Sequence, residues 1–251
     1  LSYKDLSDHK VIWQEPISTE YRGYLVYESP PNSSGHVLLQ ELNIAENFNL
    51  AELGCNTAES IHVMVEAKKL AFADRETYLA DPEFIDVPIQ GLLSKEYAKE
   101  RVALIDLERA STNVRSGLPR NHQGVNDENG VSMSRSKPPE EDTTCFCVVD
   151  QWGNAVVQLQ SLQSGFGSSL IVDGTGILLN NRMTYWHLEK DHVDCLQPGK
   201  RVRHTMNPVM VFDSLNGKQE LILACGTPGA DTQVQTNLQV ISHVLDFGML
   251  D

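Results

Sequence analysis

Positive charge is what this sequence has least of. Its 251 residues carry 20 Lys and Arg against 34 Asp and Glu, a formal net charge of −14, and so anionic a chain lacks the clustered cations that neutralise phosphates. Nucleic acid is therefore not an expected partner. Long apolar runs are missing as well: the best, Leu221–Cys225, has the length of a strand and falls far short of the roughly 20 residues that span a bilayer, so no membrane partner is expected. The five cysteines, Cys55, Cys145, Cys147, Cys195 and Cys225, are too irregularly spaced for a disulfide framework, and Cys145-Phe-Cys147 lacks the spacing of a zinc knuckle. They read as small buried residues. There are no internal repeats. The chain opens on Leu1 rather than Met and stops at Asp251 just after a helical pattern; both ends read as cut, so the lack of a leader leaves the compartment undetermined.

What remains is an ordinary globular composition, 41% apolar and 22% charged, able to bury a core. Tyr21-Arg22-Gly23 and Tyr24-Leu25-Val26-Tyr27 read as two short strands ending at a Ser-Pro-Pro-Asn-Ser-Ser-Gly turn, with a helix from Gly35. Asn56 and Glu59 have the spacing of a capping box, and Ile61, Met64, Val65, Ala71 and Phe72 then recur as the packing face of a helix. Residues 111–142 are polar and rich in Asn, Ser, Gly and Pro, too poor in apolar side chains to repay ordering, and read as a flexible linker. Beyond them the pattern turns to β. Cys145–Val149, the turn Asp150-Gln-Trp-Gly-Asn154 and Ala155–Leu159 form a hairpin with Thr143 and Thr144 at its open end. Short strands follow at Ile171-Val172, Ile177–Asn180 and Leu221–Ala224, and a helix at Gln233–Val244. Two stacked antiparallel sheets with helices outside satisfy the pattern.

A threonine between a linker and a first strand has a chemical use once the bond before it is cut. Its new α-amino group, with an ordinary pKa of about 7.7 to 8.0, can take the proton of its own hydroxyl. On pattern alone a Thr-Thr pair signals only strand propensity.

Several motifs in register change that weighing. Asp142-Thr-Thr-Cys-Phe-Cys-Val-Val-Asp150, Trp152-Gly-Asn154, Gly165-Phe-Gly167, Gly174-Thr-Gly-Ile-Leu-Leu-Asn-Asn181 and Gly226-Thr-Pro-Gly229 resemble the start of the small subunit of γ-glutamyltransferases. Pro30-Pro-Asn-Ser-Ser-Gly35, Ala71-Phe-Ala-Asp-Arg75 and Asp81-Pro82 resemble the end of the large subunit. The resemblance implies an α+β fold, the four-layer αββα sandwich of N-terminal-nucleophile hydrolases. Residues 1–142 correspond to the C-terminal part of the large subunit and 143–251 to the N-terminal part of the small, catalytic one, the two making one composite domain cut from one precursor between Asp142 and Thr143.

The resemblance also assigns roles. Thr143 falls on the nucleophile that forms an acyl-enzyme from an amide or peptide substrate, with no cofactor and no metal. Ser161 stands where a hydroxyl supports nucleophile and cleavage. Gly229 and Ala230 stand on a glycine pair whose N–H groups hold the oxyanion, Ala replacing the second glycine. The acyl pocket departs from the family: Arg182 and Tyr185 stand at positions that read the substrate amine, Gln163 at an asparagine, and His204-Thr205 replace a serine pair. A guanidinium in place of a carboxylate reverses the charge preference, and Asn181-Arg182 with His204-Thr-Met-Asn-Pro208 looks more like the branch of acylases and oxamate-type amidohydrolases. The expected function is an autoprocessed amide hydrolase or acyltransferase on γ-glutamyl or related acyl amides. Such an acylase is the alternative, and a non-catalytic unprocessed binding protein the other. His62 reads as a packing histidine, Asp74-Arg75 as a structural ion pair or helix-end contact and Asp191-His-Val-Asp194 as a loop.

Overall fold

The computed structural model describes residues 3–124, 142–213 and 219–249. After a short helix α1 (Tyr3–Asp8), strands β1 (Ile17–Tyr21) and β2 (Tyr24–Glu28) pair antiparallel, with Tyr21 opposite Tyr24. Their two-residue turn puts Arg22 at φ 55° and Gly23 at φ 84°, the left-handed pair that matches the twist of a hairpin. Arg22 tolerates it because its guanidinium is anchored to the carbonyls of Glu46 and Phe48 and to Asp246.

Helix α2 (Gly35–Ala45) is buried along its whole length. Around it lie α3 (Leu50–Leu53), the long α4 (Ala58–Tyr78), α5 (Ile89–Leu92) and α6 (Lys95–Val102). The N-cap of α4 is Thr57, whose hydroxyl accepts from Ser60 N–H, rather than Asn56, which sits one residue earlier at φ 56°. Its packing face also differs from the expected stripe. Ile61 and Val65 are exposed, and Val63, Glu66, Ala67, Leu70, Asp74, Arg75 and Tyr78 are buried with Ala71 and Phe72. A face that includes three charged groups escapes an apolar periodicity, and each of them is matched: Asp74 accepts from Tyr97 Oη at 2.9 Å and Gly117 N–H at 2.8 Å and faces Arg101 at 3.5 Å. Asp74 and Arg75 thus pair with other partners and not with each other. His62 Nε2 donates to the carbonyl of Asp106 at 2.8 Å.

Of the segment expected to be a linker, residues 111–124 pack on the helices: Tyr78 Oη donates to the carbonyl of Gly117, Arg101 to that of Arg115, and Pro119–Gln123 forms a 3-10 turn against α5. Hydrogen bonds from buried side chains to this segment's carbonyls, with Val114 packed against Ile44, Ala67, Leu70 and Ala98, repay that ordering. Residues 125–141, the rest of that expectation, lie outside the described residues.

β3 (Asp142–Val149) and β4 (Ala155–Gln163) form the expected hairpin, and the chain then pairs β5 (Val209–Asp213) and β6 (Glu220–Cys225) into the first sheet, in the order β1-β2-β5-β6, before ending in α7 (Gln233–Leu245). Ile171-Val172 and Ile177–Asn180 amount to a single bridge, Ile171 to Leu178, with Val172 N–H donating to the carbonyl of Ile177 at 2.8 Å and Leu179 N–H to that of Leu170 at 2.9 Å. One face of the four-stranded sheet, with Val26, Val209 and Val211, packs on Val37, Leu38 and Leu42 of α2 and on Leu238 and Ile241 of α7. From its other face Tyr27, Met210 and Phe212 look across a hollow of about 480 Å³ toward Val157 of β4.

Candidate active site

Thr143 sits second in β3, almost wholly buried between exposed Asp142 and Thr144. The β3–β4 register slips at this point, Asp142 facing Gln163 and Thr144 facing Gln160, so that Ser161 and Leu162 together oppose Thr143. Such a bulge re-aims side chains. Here it brings two hydroxyls together: Thr143 Oγ1 donates to Ser161 Oγ at 3.1 Å, and Ser161 Oγ donates in turn to the carbonyl oxygen of Asp142 at 2.7 Å. Gln163 N–H donates to the same Ser161 oxygen at 3.0 Å, and Thr143 N–H to Asp142 Oδ1 at 2.8 Å. The Ser161 hydroxyl therefore spends its donor on the carbonyl of the Asp142–Thr143 bond and both lone pairs on Thr143 and Gln163.

The end of β6 lies against this hairpin. A Cβ on Gly226 would come within 2.8 Å of Cys145 Sγ and 2.9 Å of Leu159 Cδ1, so glycine is what lets β6 approach β3 two residues from Thr143. The turn beyond has Gly229 at φ 114° and Ala230 at φ 54°. Gly229 has room for no side chain, since its Cβ would meet Thr232 Oγ1 at 2.5 Å, whereas Ala230 adopts the left-handed helical region that an L-residue reaches at some cost.

Ser161 also lines a second, larger cleft of about 1130 Å³, shared with Asn180, Arg182, Lys200, Arg201 and His204. Asn181 positions the Arg182 segment by accepting from Ser164 N–H at 3.1 Å and donating to Ser164 Oγ at 2.9 Å, at the end of β4. Arg182 is buried, donates to Thr205 Oγ1 at 3.3 Å and stands 5.5 Å from the centre of the Tyr185 ring. Gln163, fully buried at φ 81°, accepts from Thr184 Oγ1 at 2.9 Å, while its Nε2 has no partner among the described residues. His204 is fixed through its backbone: Asn32, Ser33 and Ser34 side chains donate to the carbonyls of Val202, Met206 and His204, and His204 N–H donates to Asn32 O. Burial, then Arg182 and Arg201, pushes the His204 imidazole down to about 4, so the ring is neutral at neutral pH, and its Nδ1 has no partner among the described residues. Among the described residues, no Asp or Glu lines this cleft.

The sequence model of the gamma-glutamyltranspeptidase family matches residues 1–250. The chain belongs to that family. Among curated relatives of this transpeptidase-family chain, a glutathione hydrolase-like proenzyme of Bacillus subtilis (strain 168) is 38% identical over 249 residues, 99% of this chain and 42% of that protein. An acylase proenzyme of Pseudomonas sp. (strain SE83) is 35% identical over 246 residues, 98% of this chain and 40% of the relative. The solved structure of a cephalosporin acylase from Bacillus halodurans superposes with a TM-score of 0.81 at 35% identity, covering 99% of this chain and 40% of that one. The chain thus spans about two fifths of the length of the relatives it matches.

Sequence reasoning passed over two members of this neighbourhood. Arg203, buried, lies 4.6 Å from the Tyr185 ring centre, and Asp231, directly after Ala230, takes Arg75 at 2.7 Å and Arg203 at 3.4 Å. Adjacency to the Gly229–Ala230 pair was the one available signal for Asp231.

Proposed function

We propose that this chain is part of an autoprocessed amide hydrolase or acyltransferase, working through an acyl ester on Thr143, within a four-layer αββα sandwich whose two processed subunits meet at Asp142 and Thr143. The observation that carries the reading is the relay Thr143 Oγ1 to Ser161 Oγ to Asp142 O. In the precursor, Thr143 Oγ1 attacks the Asp142 carbonyl carbon, its proton passes to Ser161, and the Ser161 proton passes to the carbonyl oxygen. Collapse breaks the C–N bond, returns a proton to the nitrogen and leaves an ester, which water cleaves. The freed amine then serves as the base of its own hydroxyl, and the same Ser161 orients that hydroxyl toward a substrate amide. Gly229 and Ala230 are the proposed N–H donors to the oxyanion.

For the acyl group, Arg182, with Lys200 and Arg201 in the same cleft lining, favours a negative charge and disfavours the ammonium of a γ-glutamyl group. A dicarboxylic monoamide, an oxamate-like amide or a glutaryl side chain, accepting from Arg182, Tyr185 or neutral His204, fits this chemistry better than glutathione. N-terminal sequencing of the purified full-length protein tests the first claim: two chains are expected, one starting at Thr143, and a single chain for Thr143→Ala. An uncut protein with full amidase activity would refute it, and an uncut inactive one would favour a binding role.

A further inference from the structure

Arg75 and Asp231 lie on opposite sides of the Asp142–Thr143 bond, 156 residues apart. Arg75 projects from the last turns of α4, is 4% exposed, and stacks at 4.2 Å on the Phe72 ring. Its fork meets both oxygens of Asp231, Nη1 to Oδ1 at 2.7 Å and Nη2 to Oδ2 at 3.2 Å, while Glu76 Oε1 balances Nε at 2.9 Å. Burial works against an Asp231 charge, yet Arg75 and Arg203 hold the carboxyl down at about 2. The residue anchored in this way follows Ala230, whose φ of 54° is left-handed without being glycine; such a conformation persists where the surroundings over-determine it. Thr232 N–H, donating to Gly229 O at 2.9 Å, closes the turn from within. Asp231 ties it from outside.

We propose that Arg75 and Asp231 form a latch across the cut that holds the Gly229–Ala230 turn in its left-handed conformation, making both of them positioning residues for the backbone donors of that turn. The proposal rests on the reading of those N–H groups as oxyanion donors. Because every acyl group develops its oxyanion at the same place, loosening the latch lowers turnover without changing acyl preference. Arg182 does the opposite.

The test uses full-length Asp231→Asn, Arg75→Met and Arg75→Lys, with rates divided by the burst amplitude so that only acylatable Thr143 is counted. The substrates are γ-glutamyl-p-nitroanilide and glutaryl-p-nitroanilide. Displacement of a donor by about 1 Å costs up to about 10² in rate, so kcat per active site should fall about 10- to 10²-fold for both substrates alike, with KM nearly unchanged and Arg75→Lys retaining more than Arg75→Met. Replacing Ala230 by Gly, which needs no help to be left-handed, should return part of the rate lost in Asp231→Asn. Full kcat per burst site in Asp231→Asn would overturn the latch. So would a loss confined to one acyl group, or a loss explained wholly by burst amplitude or a lowered Tm. Failure of the underlying reading looks different: a wild-type protein with no burst, which takes the latch down with it.

Discussion

The helix α2 and the strand β3 are opposites. Every residue of α2 is buried, including His36, Gln40, Glu41 and Asn43, whereas beyond Thr143 the strand carries Phe146, Val148 and Val149 largely exposed, opposite exposed Val156 and beside Trp152. The first region is held by packing on every side. The second is held mainly at one end, by its partner strand and by the approach of β6 at Gly226. The buried residue of β3 is the one proposed to do chemistry. The difference teaches that stability and reactivity are lodged in separate parts of the chain, so that they should be separable by substitution.

The largest effect should fall on the packed side. Leu238→Ala removes a fully buried side chain between α7 and the sheet and should lower unfolding free energy by about 2–5 kcal/mol, measured by denaturant titration, while activity per folded molecule is unchanged. A parallel loss of activity per folded molecule would erase the distinction. Next in size, Ser161→Ala should slow both chain cleavage and acyl transfer by about 10² with little change in Tm; wild-type rates would reduce Ser161 to a packing role. Arg182→Gln should act on selectivity, lowering kcat/KM for glutaryl-p-nitroanilide by about tenfold, the worth of one charge-assisted hydrogen bond, and not that for the γ-glutamyl compound. An unchanged γ-glutamyl preference in both proteins refutes the charge argument. The smallest effect at acidic pH belongs to Glu41, whose carboxyl is pushed up to about 8 by burial, against Lys68 and Arg75. A folded pKa above the unfolded one gives stability that is complete below the unfolded value and is lost as pH rises through the folded one. The Tm of Glu41→Gln relative to wild type should therefore improve steadily from about pH 5 to about pH 8, and a flat difference would show that Glu41 is ionised throughout.

The same contrast governs how far the sequence could be read. The β3–β4 hairpin and α7 follow from local signals, strand propensity around an Asp-Gln-Trp-Gly-Asn turn and an i, i+4, i+7 stripe of Val234, Leu238 and Ile241. α4 was legible as a helix but not in its facing, because Glu66, Asp74 and Arg75 are buried by partners remote in sequence: Ser111 N–H, Arg101 and Asp231. The cap at Thr57 was missed by one residue, since Asn and Thr have similar capping preferences and only φ distinguishes them. At the site, Thr143, Ser161, Gln163, Arg182, Tyr185, His204, Thr205, Gly229 and Ala230 were named through resemblance, not spacing. Asp231 and Arg203 required coordinates, because their ion pairs, Arg75 to Asp231 over 156 residues and Arg203 to Asp231 over 28, leave no local trace.

The pairing of β2 with β5, in which Tyr24, Leu25, Val26 and Tyr27 face Asp213, Phe212, Val211 and Met210, lies on neither side of the proposed cut but across it. Once the bond before Thr143 is gone, the centre of the sheet is a complex between two polypeptides. Unfolding then releases two species that must find one another again, so reassembly becomes second order and depends on dilution, while the precursor refolds at a rate independent of concentration. Processing at the proposed cut would turn the sheet into a ratchet: a cleaved molecule, once dissociated, would have lost the tether that first brought its strands together.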